Sequence, residues 1–308
     1  MDTNFGKVLV KYKNGNVDVT LYEDGTKVRT YEGKAYPEHP ETIDVKITNE
    51  CDLLCEYCHE ESSLDGDDGD LNALIEKLSE LPKGIELAVG GGNPLSHRCL
   101  PQFLAIAKSK GWIVNITVNS MHVESYIETI MHYIRHNLIK AIGISVGDGT
   151  ILRYSDFVLT VNALKAMSSH IVFHVIVGVA KIEIIEEINS IYKDAKILVL
   201  GYKQFGRGKE AYTPEIAKEL KRWEMYLPKY TGVYSLTFDN LAIDQLDLKR
   251  LFTDEEWSEL YMGDDGTFSM YVDAVKQEFA RTSRSPYRTS FNACSLKDYF
   301  QNLQSGAE

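Results

Sequence analysis

The hydrophobic positions of this chain follow two different periods along its length. Residues 6–32 alternate apolar and polar side chains, and the pairs Asn14-Gly15 and Asp24-Gly25 interrupt the alternation. A period of two is typical of β-strands, and Asn-Gly and Asp-Gly pairs are strong hairpin signals. The sequence therefore predicts an antiparallel β-meander, which we assign to an N-terminal accessory region over residues 1–40.

From residue 42 onward, short apolar strands alternate with helical patterns. The alternation is typical of a parallel sheet covered by helices, in which binding sites lie at the carboxyl ends of the strands. We predict a core domain over residues 41–210. Its predicted strands are 43–48, 85–89, 114–118, 141–146, 171–177 and 196–200, and its predicted helices are 70–81, 98–110, 122–136, 156–168 and 181–193.

Beyond residue 210 the regular alternation ends. The patterns favour helices over 215–226 and 246–261, one strand over 235–238, and a hairpin formed by residues 268–272 and 278–280. We interpret residues 211–308 as an α+β extension that covers the open end of the core domain, where substrate specificity would reside.

Three clustered cysteines are the most specific chemical signal. Cys51, Cys55 and Cys58 have the spacing C-x3-C-x2-C and follow the first core strand directly. A cubane iron–sulfur cluster is normally held by four thiolates, so three would leave one iron with an open position, as catalytic metal sites have. Three alternatives remain: a zinc-stabilised binding module without catalysis, with His59 as the fourth ligand of a Cys3His site; a simple electron carrier; and an accidental clustering of cysteines.

A glycine-rich loop follows the second core strand. It consists of Gly90, Gly91, Gly92, Asn93 and Pro94. Glycine permits a close approach that side chains forbid, so the run predicts a place where backbone meets ligand. An ordinary glycine-rich turn is the alternative.

These two loops, with Tyr57 immediately before the third cysteine, resemble the cofactor loops of radical S-adenosylmethionine (SAM) enzymes. The resemblance implies a partial (β/α)6 TIM-like barrel, a [4Fe-4S] cluster on the three cysteines, and SAM bound to the open iron. In that family, reductive cleavage of SAM gives a 5′-deoxyadenosyl radical that abstracts a hydrogen atom from the substrate. Asn93 stands where the family's Gly-Gly-Glu-Pro segment has Glu. We still expect SAM binding, because that segment acts mainly through its backbone.

Other strand ends carry further candidate cofactor contacts. The resemblance suggests SAM contacts at Asn119, Ser145 and Gly178, which follow the third, fourth and fifth core strands. Helix capping and turn formation are the alternative explanation for Asn and Ser at such positions. Lys203 and Arg207 follow the sixth strand, where cations suit the carboxylate of SAM or an anionic substrate; a solvated loop is the alternative.

Composition limits the partners and the compartment. The chain has 308 residues, 44% of them hydrophobic, with a net charge of −12 and a pI of about 5.2, which argues against broad nucleic-acid binding. No apolar run approaches the roughly 20 residues needed to span a bilayer, and the N-terminus lacks a signal-peptide pattern. We expect a cytoplasmic, oxygen-sensitive enzyme served by an electron donor such as flavodoxin or ferredoxin.

The sequence leaves the substrate open between a small molecule, a nucleotide and a peptide. Two basic stretches favour an anionic small molecule or nucleotide: the loop with Lys203 and Arg207, and a C-terminal segment with Arg281, Arg284 and Arg288. Outside the cysteine cluster, we expect Cys99 to be a small core residue, and Ser295 to cap the terminal helix beside Cys294.

Overall fold

The computed structural model describes residues 6–306, which form two β-sheets and the helices around them. The strands are Val8–Asn14 (β1), Val17–Tyr22 (β2), Lys27–Thr30 (β3), Thr42–Thr48 (β4), Glu86–Gly91 (β5), Ile113–Asn119 (β6), Ala141–Ser145 (β7), Ile171–Ile176 (β8), Lys196–Leu200 (β9), Ser235–Phe238 (β10), Ser269–Asp273 (β11), Glu278–Ala280 (β12) and Thr289–Ser290 (β13).

The α-helices lie mainly between consecutive strands of the larger sheet. They are Leu71–Leu78 (α1), Leu100–Lys110 (α2), Ser120–Val123 (α3), Ile127–Arg135 (α4), Ser155–Met167 (α5), Ile184–Ile191 (α6), Arg207–Glu210 (α7), Pro214–Tyr226 (α8), Asn240–Gln245 (α9), Asp254–Leu260 (α10) and Leu296–Ser305 (α11). Short 3-10 helices lie at Pro94–Ser96, Thr150–Arg153, Leu227–Lys229 and Leu248–Leu251.

The larger sheet has the strand order β10-β9-β8-β7-β6-β5-β4-β11-β12-β13. Neighbours from β10 to β11 are parallel, and β12 and β13 add antiparallel strands at one edge. The six core strands therefore lie side by side in chain order, with a strand from the C-terminal region on each side. This arrangement confirms the predicted α/β fold with a partial TIM-like barrel.

Alternation along the barrel strands separates a buried outer face from a less buried inner face. In β4, Ile43, Val45 and Ile47 are buried against the helix layer. Asp44 and Lys46 alternate with them and point to the inner face, which we call the lumen. The lumen-facing positions are the less buried positions of β6 and β8 as well, so solvent reaches this side of the barrel.

The predicted β-meander is present, with the sheet order β1-β2-β3. Its basic side chains meet the start of the barrel. Lys27 Nζ lies 2.6 Å from Glu86 Oε2 at the beginning of β5, and Arg29 Nε lies 2.9 Å from the fully buried Glu41 just before β4. The meander thus lies at the amino ends of the strands, opposite the edge where the cysteine and glycine loops emerge.

Two predicted helices are broken in the structure. The helix predicted over 122–136 is divided into α3 and α4, and the one predicted over 246–261 into a 3-10 turn and α10. A capping box between Thr253 and Glu256 makes α10 begin as a separate helix, which accounts for the second break. The C-terminal hairpin of β11 and β12 is confirmed, as is the cap of α11 by Ser295. Within residues 6–306, no helix is both long and apolar enough to cross a bilayer.

Candidate functional site

The cysteine loop leaves the carboxyl end of β4 and returns to it. Its two limbs are joined by backbone hydrogen bonds from Cys51 N to Ser63 O, 2.8 Å, and from Ser63 N to Asn49 O, 3.1 Å. At the tip, Cys58 N donates to Cys55 O over 3.1 Å, which folds the C-x2-C segment into a turn. The three cysteines are partly exposed on this short closed loop and form no disulfide.

Burial affects the chemistry of these thiols. It raises the pKa of Cys51 and of Cys55 above the ordinary thiol value. Thiolates are the metal-binding form of cysteine, so metal binding here must release protons from these two side chains.

The glycine loop packs directly against the first residues of the cysteine loop. Gly92 N donates to Thr48 O over 2.8 Å, and Asn93 N donates to Glu50 O over 2.7 Å. A Cβ atom on Gly92 would lie 2.1 Å from Glu50 O, and one on Gly91 would lie 2.3 Å from Thr48 O. Glycine is therefore required at these two positions because backbone runs against backbone.

Asn93 and Pro94 complete the glycine loop. Asn93 is buried, and its Oδ1 accepts a hydrogen bond from Leu95 N, which caps the 3-10 turn that begins at Pro94. The Asn93 side chain is thus used to form the loop. In contrast, a Cβ atom on Gly90 would meet nothing closer than Thr117 Cβ at 3.9 Å, so this glycine borders open space on the lumen side.

A cavity of about 900 Å³ lies beside the tip of the cysteine loop. Cys55 and Tyr57 line it from the loop, and Asn119 and Gly178 line it from the ends of β6 and β8. Its size lies within the range of about 300–1,000 Å³ that is usual for small-molecule sites. Four of the residues predicted from sequence thus share one cavity. Asn119 also caps α3 through its side chain, so the capping explanation holds for it too.

Ser145 lies in register with Asn119 on β6 and with His174 on β8, on the lumen face. His174 contacts the β7 backbone so closely that a Cβ atom on Gly143 would lie 2.2 Å from its ring. Burial lowers the pKa of His174 to about 4, so the ring is neutral near pH 7.

Arg207 holds the cysteine loop in place from the other side. Its Nε donates to Cys55 O over 3.0 Å, its Nη2 donates to Ser62 O over 2.9 Å, and its backbone N donates to Cys58 O over 3.2 Å. The guanidinium group therefore binds two carbonyls of the loop. Gly206 is packed so tightly that a Cβ atom there would lie 2.5 Å from His59 O.

Lys203 begins a chain of charges that extends from the loop to β11. Its Nζ lies 3.0 Å from His59 Nε2, which lies 3.2 Å from Glu60 Oε1. Lys46 Nζ is 2.8 Å from Glu60 Oε2 and 3.6 Å from Asp273 Oδ2. Burial raises the pKa of Glu60, but contacts with His59 and Lys46 outweigh it, and the net pKa is lowered. Burial and then Lys203 lower the pKa of His59.

The contacts of His59 and the positions of the cysteines argue against a zinc site of the Cys3His type. A tetrahedral zinc site with Zn–S bonds of about 2.3 Å brings its sulfurs within about 3.8 Å of one another. In the part of the chain that the structure describes, the three cysteines and His59 form no group of ligand atoms within 4.8 Å. His59 is engaged with Lys203 and Glu60 instead, so the arrangement does not favour a Cys3His site.

Asp52 and His122 form a contact beside the first cysteine that the sequence did not predict. His122 Nε2 lies 2.7 Å from Asp52 Oδ1, and ligand atoms of Cys51, Asp52 and His122 lie within 4.8 Å of one another. The hydrogen bond from His122 is the largest cause of the lowered pKa of Asp52. The two residues are 70 positions apart, so no local pattern indicates their contact.

The two remaining cysteines lie apart from this arrangement. Cys99, expected in the core, is exposed because it precedes α2 as its N-cap residue, outside the apolar face of the helix. Burial raises the pKa of Cys294, whose charged neighbours are Asp298 and Lys77 rather than residues of the cysteine loop.

The fold matches structures of SuiB from Streptococcus suis. The structure of SuiB bound to its precursor peptide SuiA aligns with a TM-score of 0.60 and 12% identity, covering 88% of this chain and 67% of that chain. SuiB bound to S-adenosylmethionine aligns with a TM-score of 0.58 and 10% identity, covering 88% and 68%. The chain thus spans about two thirds of the neighbours' length. No family model and no curated protein sequence matches.

At this low identity the likeness shows a shared fold. The fold that the cysteine and glycine loops led us to expect is therefore confirmed by structures that share little sequence with the chain. One of them was solved with SAM and another with a peptide.

Exchanging glycines of the glycine loop tests the backbone contact. Gly92→Ala should lower the free energy of unfolding by about 1–3 kcal/mol, because its methyl group collides with Glu50 O. Gly90→Ala is the matched control, and its effect should stay within about 1 kcal/mol because its methyl group meets open space. Urea denaturation of both variants measures the difference. Equal destabilisation would refute the assigned contact.

Removing the guanidinium of Arg207 tests its hold on the cysteine loop. Arg207→Met deletes two charge-assisted hydrogen bonds, so amide hydrogen exchange over residues 55–63 should accelerate about tenfold or more. Lys209→Met removes an exposed cation from the same helix and should leave the exchange unchanged. Exchange in Arg207→Met that matches the Lys209→Met control would show that the loop does not depend on Arg207.

Proposed function

We propose that this protein is a radical SAM enzyme. In this proposal Cys51, Cys55 and Cys58 hold a [4Fe-4S] cluster through three of its irons, and SAM binds the fourth iron in the 900 Å³ cavity. The observation that carries the proposal lies at one edge of a parallel barrel: the glycine loop packs against the three-cysteine loop, and Cys55 and Tyr57 of the cysteine loop line a ligand-sized cavity.

The residues present fit such a cluster. Three thiols lie on one closed loop, as a cluster with three thiolate ligands requires, and they do not form a group of ligand atoms within 4.8 Å as a single tetrahedral ion would require. Cys55 lines the cavity directly, so a cluster on this loop borders the space in which SAM would lie. Cys51 has Asp52 and His122 as polar neighbours that can tune such a cluster.

The cluster, when bound with SAM, supplies a 5′-deoxyadenosyl radical through one-electron reduction. The chain's own residues bind, orient and shield the reactants. We assign the backbone of Gly90–Pro94 to the amino group of SAM, and Asn119, Ser145 and Gly178 to its nucleoside part. Tyr57 lines both the large cavity and a smaller one of about 70 Å³ that Lys203 borders. Tyr57 therefore lies between the two cavities.

In the structure, Lys203 and Arg207 contact groups of the protein itself rather than being free for the anionic ligand expected from the sequence. Arg207 binds two carbonyl oxygens, and Lys203 Nζ lies 2.9 Å from Ser283 Oγ as well as near His59. Arg284 pairs with Asp265 at 2.8 Å, and Arg288 donates to Ser283 O. These cations already have partners, so they give little support to an anionic substrate.

A peptide is the substrate class that the comparisons favour. SuiB, which shares this fold over 88% of the chain, was crystallised with its precursor peptide SuiA. The solvent-accessible inner face of the barrel agrees with such a substrate. An electron donor such as flavodoxin or ferredoxin is part of the proposal, and the cytoplasm remains the compartment we expect.

Anaerobic reconstitution with iron and sulfide tests the proposal. The protein should become brown, bind about four irons per chain, and cleave SAM to 5′-deoxyadenosine when dithionite is added. Cys55→Ala should abolish this cleavage, because its thiolate is one of three ligands and borders the cavity. Chromatography of 5′-deoxyadenosine measures the reaction.

Cys99→Ala is the matched control for this experiment. Cys99 is an exposed thiol outside the cysteine loop, so the variant should cleave SAM as the wild type does. A colourless protein that holds one zinc and does not bind SAM would instead establish the non-catalytic alternative. Cleavage retained by Cys55→Ala would disprove the ligand assignment.

A further inference from the structure

Asp44 is a charged residue on the lumen face for which the proposed function gives no role. It lies in the middle of β4, between Tyr271 of β11 and Ala88 of β5 in the parallel register. Among residues 6–306, no side chain or backbone group forms a hydrogen bond or an ion pair with its carboxylate. The side chain is enclosed by the barrel wall, but solvent in the lumen still reaches it.

The cations around the lumen do not neutralise Asp44. Lys46, two residues further along the same strand, is paired with Glu60 and Asp273. Lys203 is engaged by His59 and Ser283. Among the described residues, a negative charge thus faces the lumen without a partner of its own, and a positive group that enters the lumen can form an ion pair with it.

Asn115 supplies a second unpaired acceptor in the same layer of the barrel. It pairs in register with Ala88, the small residue that also neighbours Asp44. The Oδ1 atom of Asn115 is buried and has no hydrogen-bond partner in the described structure. Two acceptors without donors, on either side of an alanine, match a ligand group that carries several N–H donors and a positive charge.

The depth of Asp44 in the barrel limits which ligands can bring a cationic group to it. Asp44 precedes Thr48 by four residues, so at about 3.3 Å per residue it lies about 13 Å down the strand from the start of the cysteine loop. A cationic group must therefore be carried into the lumen from the open end. A lysine or arginine side chain alone is shorter than this depth, so part of the peptide backbone must enter the barrel with it.

Resting on the proposed function, we propose that Asp44, assisted by Asn115, binds the ammonium or guanidinium group of a basic side chain of a peptide substrate in the lumen. The site is a specificity determinant: it selects for the positive charge. A neutral side chain of the same length leaves Asp44 and Asn115 unpaired and binds more weakly.

The ionisation of Asp44 gives the site a pH dependence. The pKa of Asp44 is raised to about 6: burial is the largest cause, Lys203 opposes it, and Asp265 and Asp239 add to it. The carboxylate is therefore charged above about pH 6 and is progressively protonated below it. Of the other groups facing the lumen, His174 stays neutral above its pKa of about 4, and burial raises the pKa of Tyr271 far above neutral pH.

Calorimetry on the reconstituted full chain with SAM present tests the proposal. The two probes are amino acids whose backbone charges are removed by blocking groups. N-acetyl-lysine N-methylamide carries the ammonium group, and N-acetyl-norleucine N-methylamide is its uncharged counterpart. At about pH 7.5 the lysine probe should bind the wild type about tenfold more tightly or better. Its affinity should fall about tenfold between about pH 7.5 and about pH 5, because Asp44 takes up a proton.

Asp44→Asn should remove both the preference for the lysine probe and its pH dependence. Asp18→Asn, which neutralises an exposed carboxylate on β2, should keep both. Asp44→Asn should fold with a Tm at or above that of the wild type, because burial disfavours the charge that the substitution removes. A preference for the lysine probe that persists in Asp44→Asn, or no preference in the wild type, would overturn the proposal.

Reductive SAM cleavage by the wild type in the same preparation separates this inference from the proposed function. Cleavage without charge preference refutes only the lumen site. Charge preference without cleavage leaves the Asp44 site standing and refutes the radical SAM assignment.

Discussion

Two backbone hydrogen bonds between the cysteine loop and the glycine loop determine the geometry of the whole candidate site. Gly92 N to Thr48 O and Asn93 N to Glu50 O join the ends of two neighbouring parallel strands, and the contact is so close that no side chain fits between them. Arg207 then fixes the cysteine loop from the opposite side through Cys55 O and Ser62 O. The loop is thereby held at the edge of the cavity, where an open metal position would face a bound ligand.

The charges inside the barrel follow from this arrangement. The glycine-rich segment after β9 brings two cations toward the cysteine loop, and both contact this loop. Arg207 binds loop carbonyls, and Lys203 contacts His59. Positive charge that the sequence offers for a ligand is therefore used for structure. Among residues 6–306, the carboxylate of Asp44 deeper in the lumen has no hydrogen-bond or ion-pair partner, and our proposal therefore requires a cationic rather than an anionic substrate group.

The fold was predictable from the sequence where local patterns determine it. Turn pairs such as Asn14-Gly15 define the meander, and alternation of apolar strands with helices defines the barrel. The cysteine and glycine loops were predictable because each follows an apolar strand. Contacts between distant residues were not: the pairing of β11 with β4, the Asp52–His122 pair and the clamp by Arg207 join segments that no local pattern connects. Asp44 could have been found, since it alternates with the apolar residues of β4, but its lack of a partner is visible only in three dimensions.

Electron paramagnetic resonance of the reduced, reconstituted protein tests the central claim most directly, namely that a cluster held by three cysteines has an iron to which SAM binds. The account predicts a signal from the reduced cluster whose shape changes when SAM is added, because the ligands of one iron change. A cluster signal that is identical with and without saturating SAM would contradict the account, since it would mean that no iron of the cluster is open to the ligand.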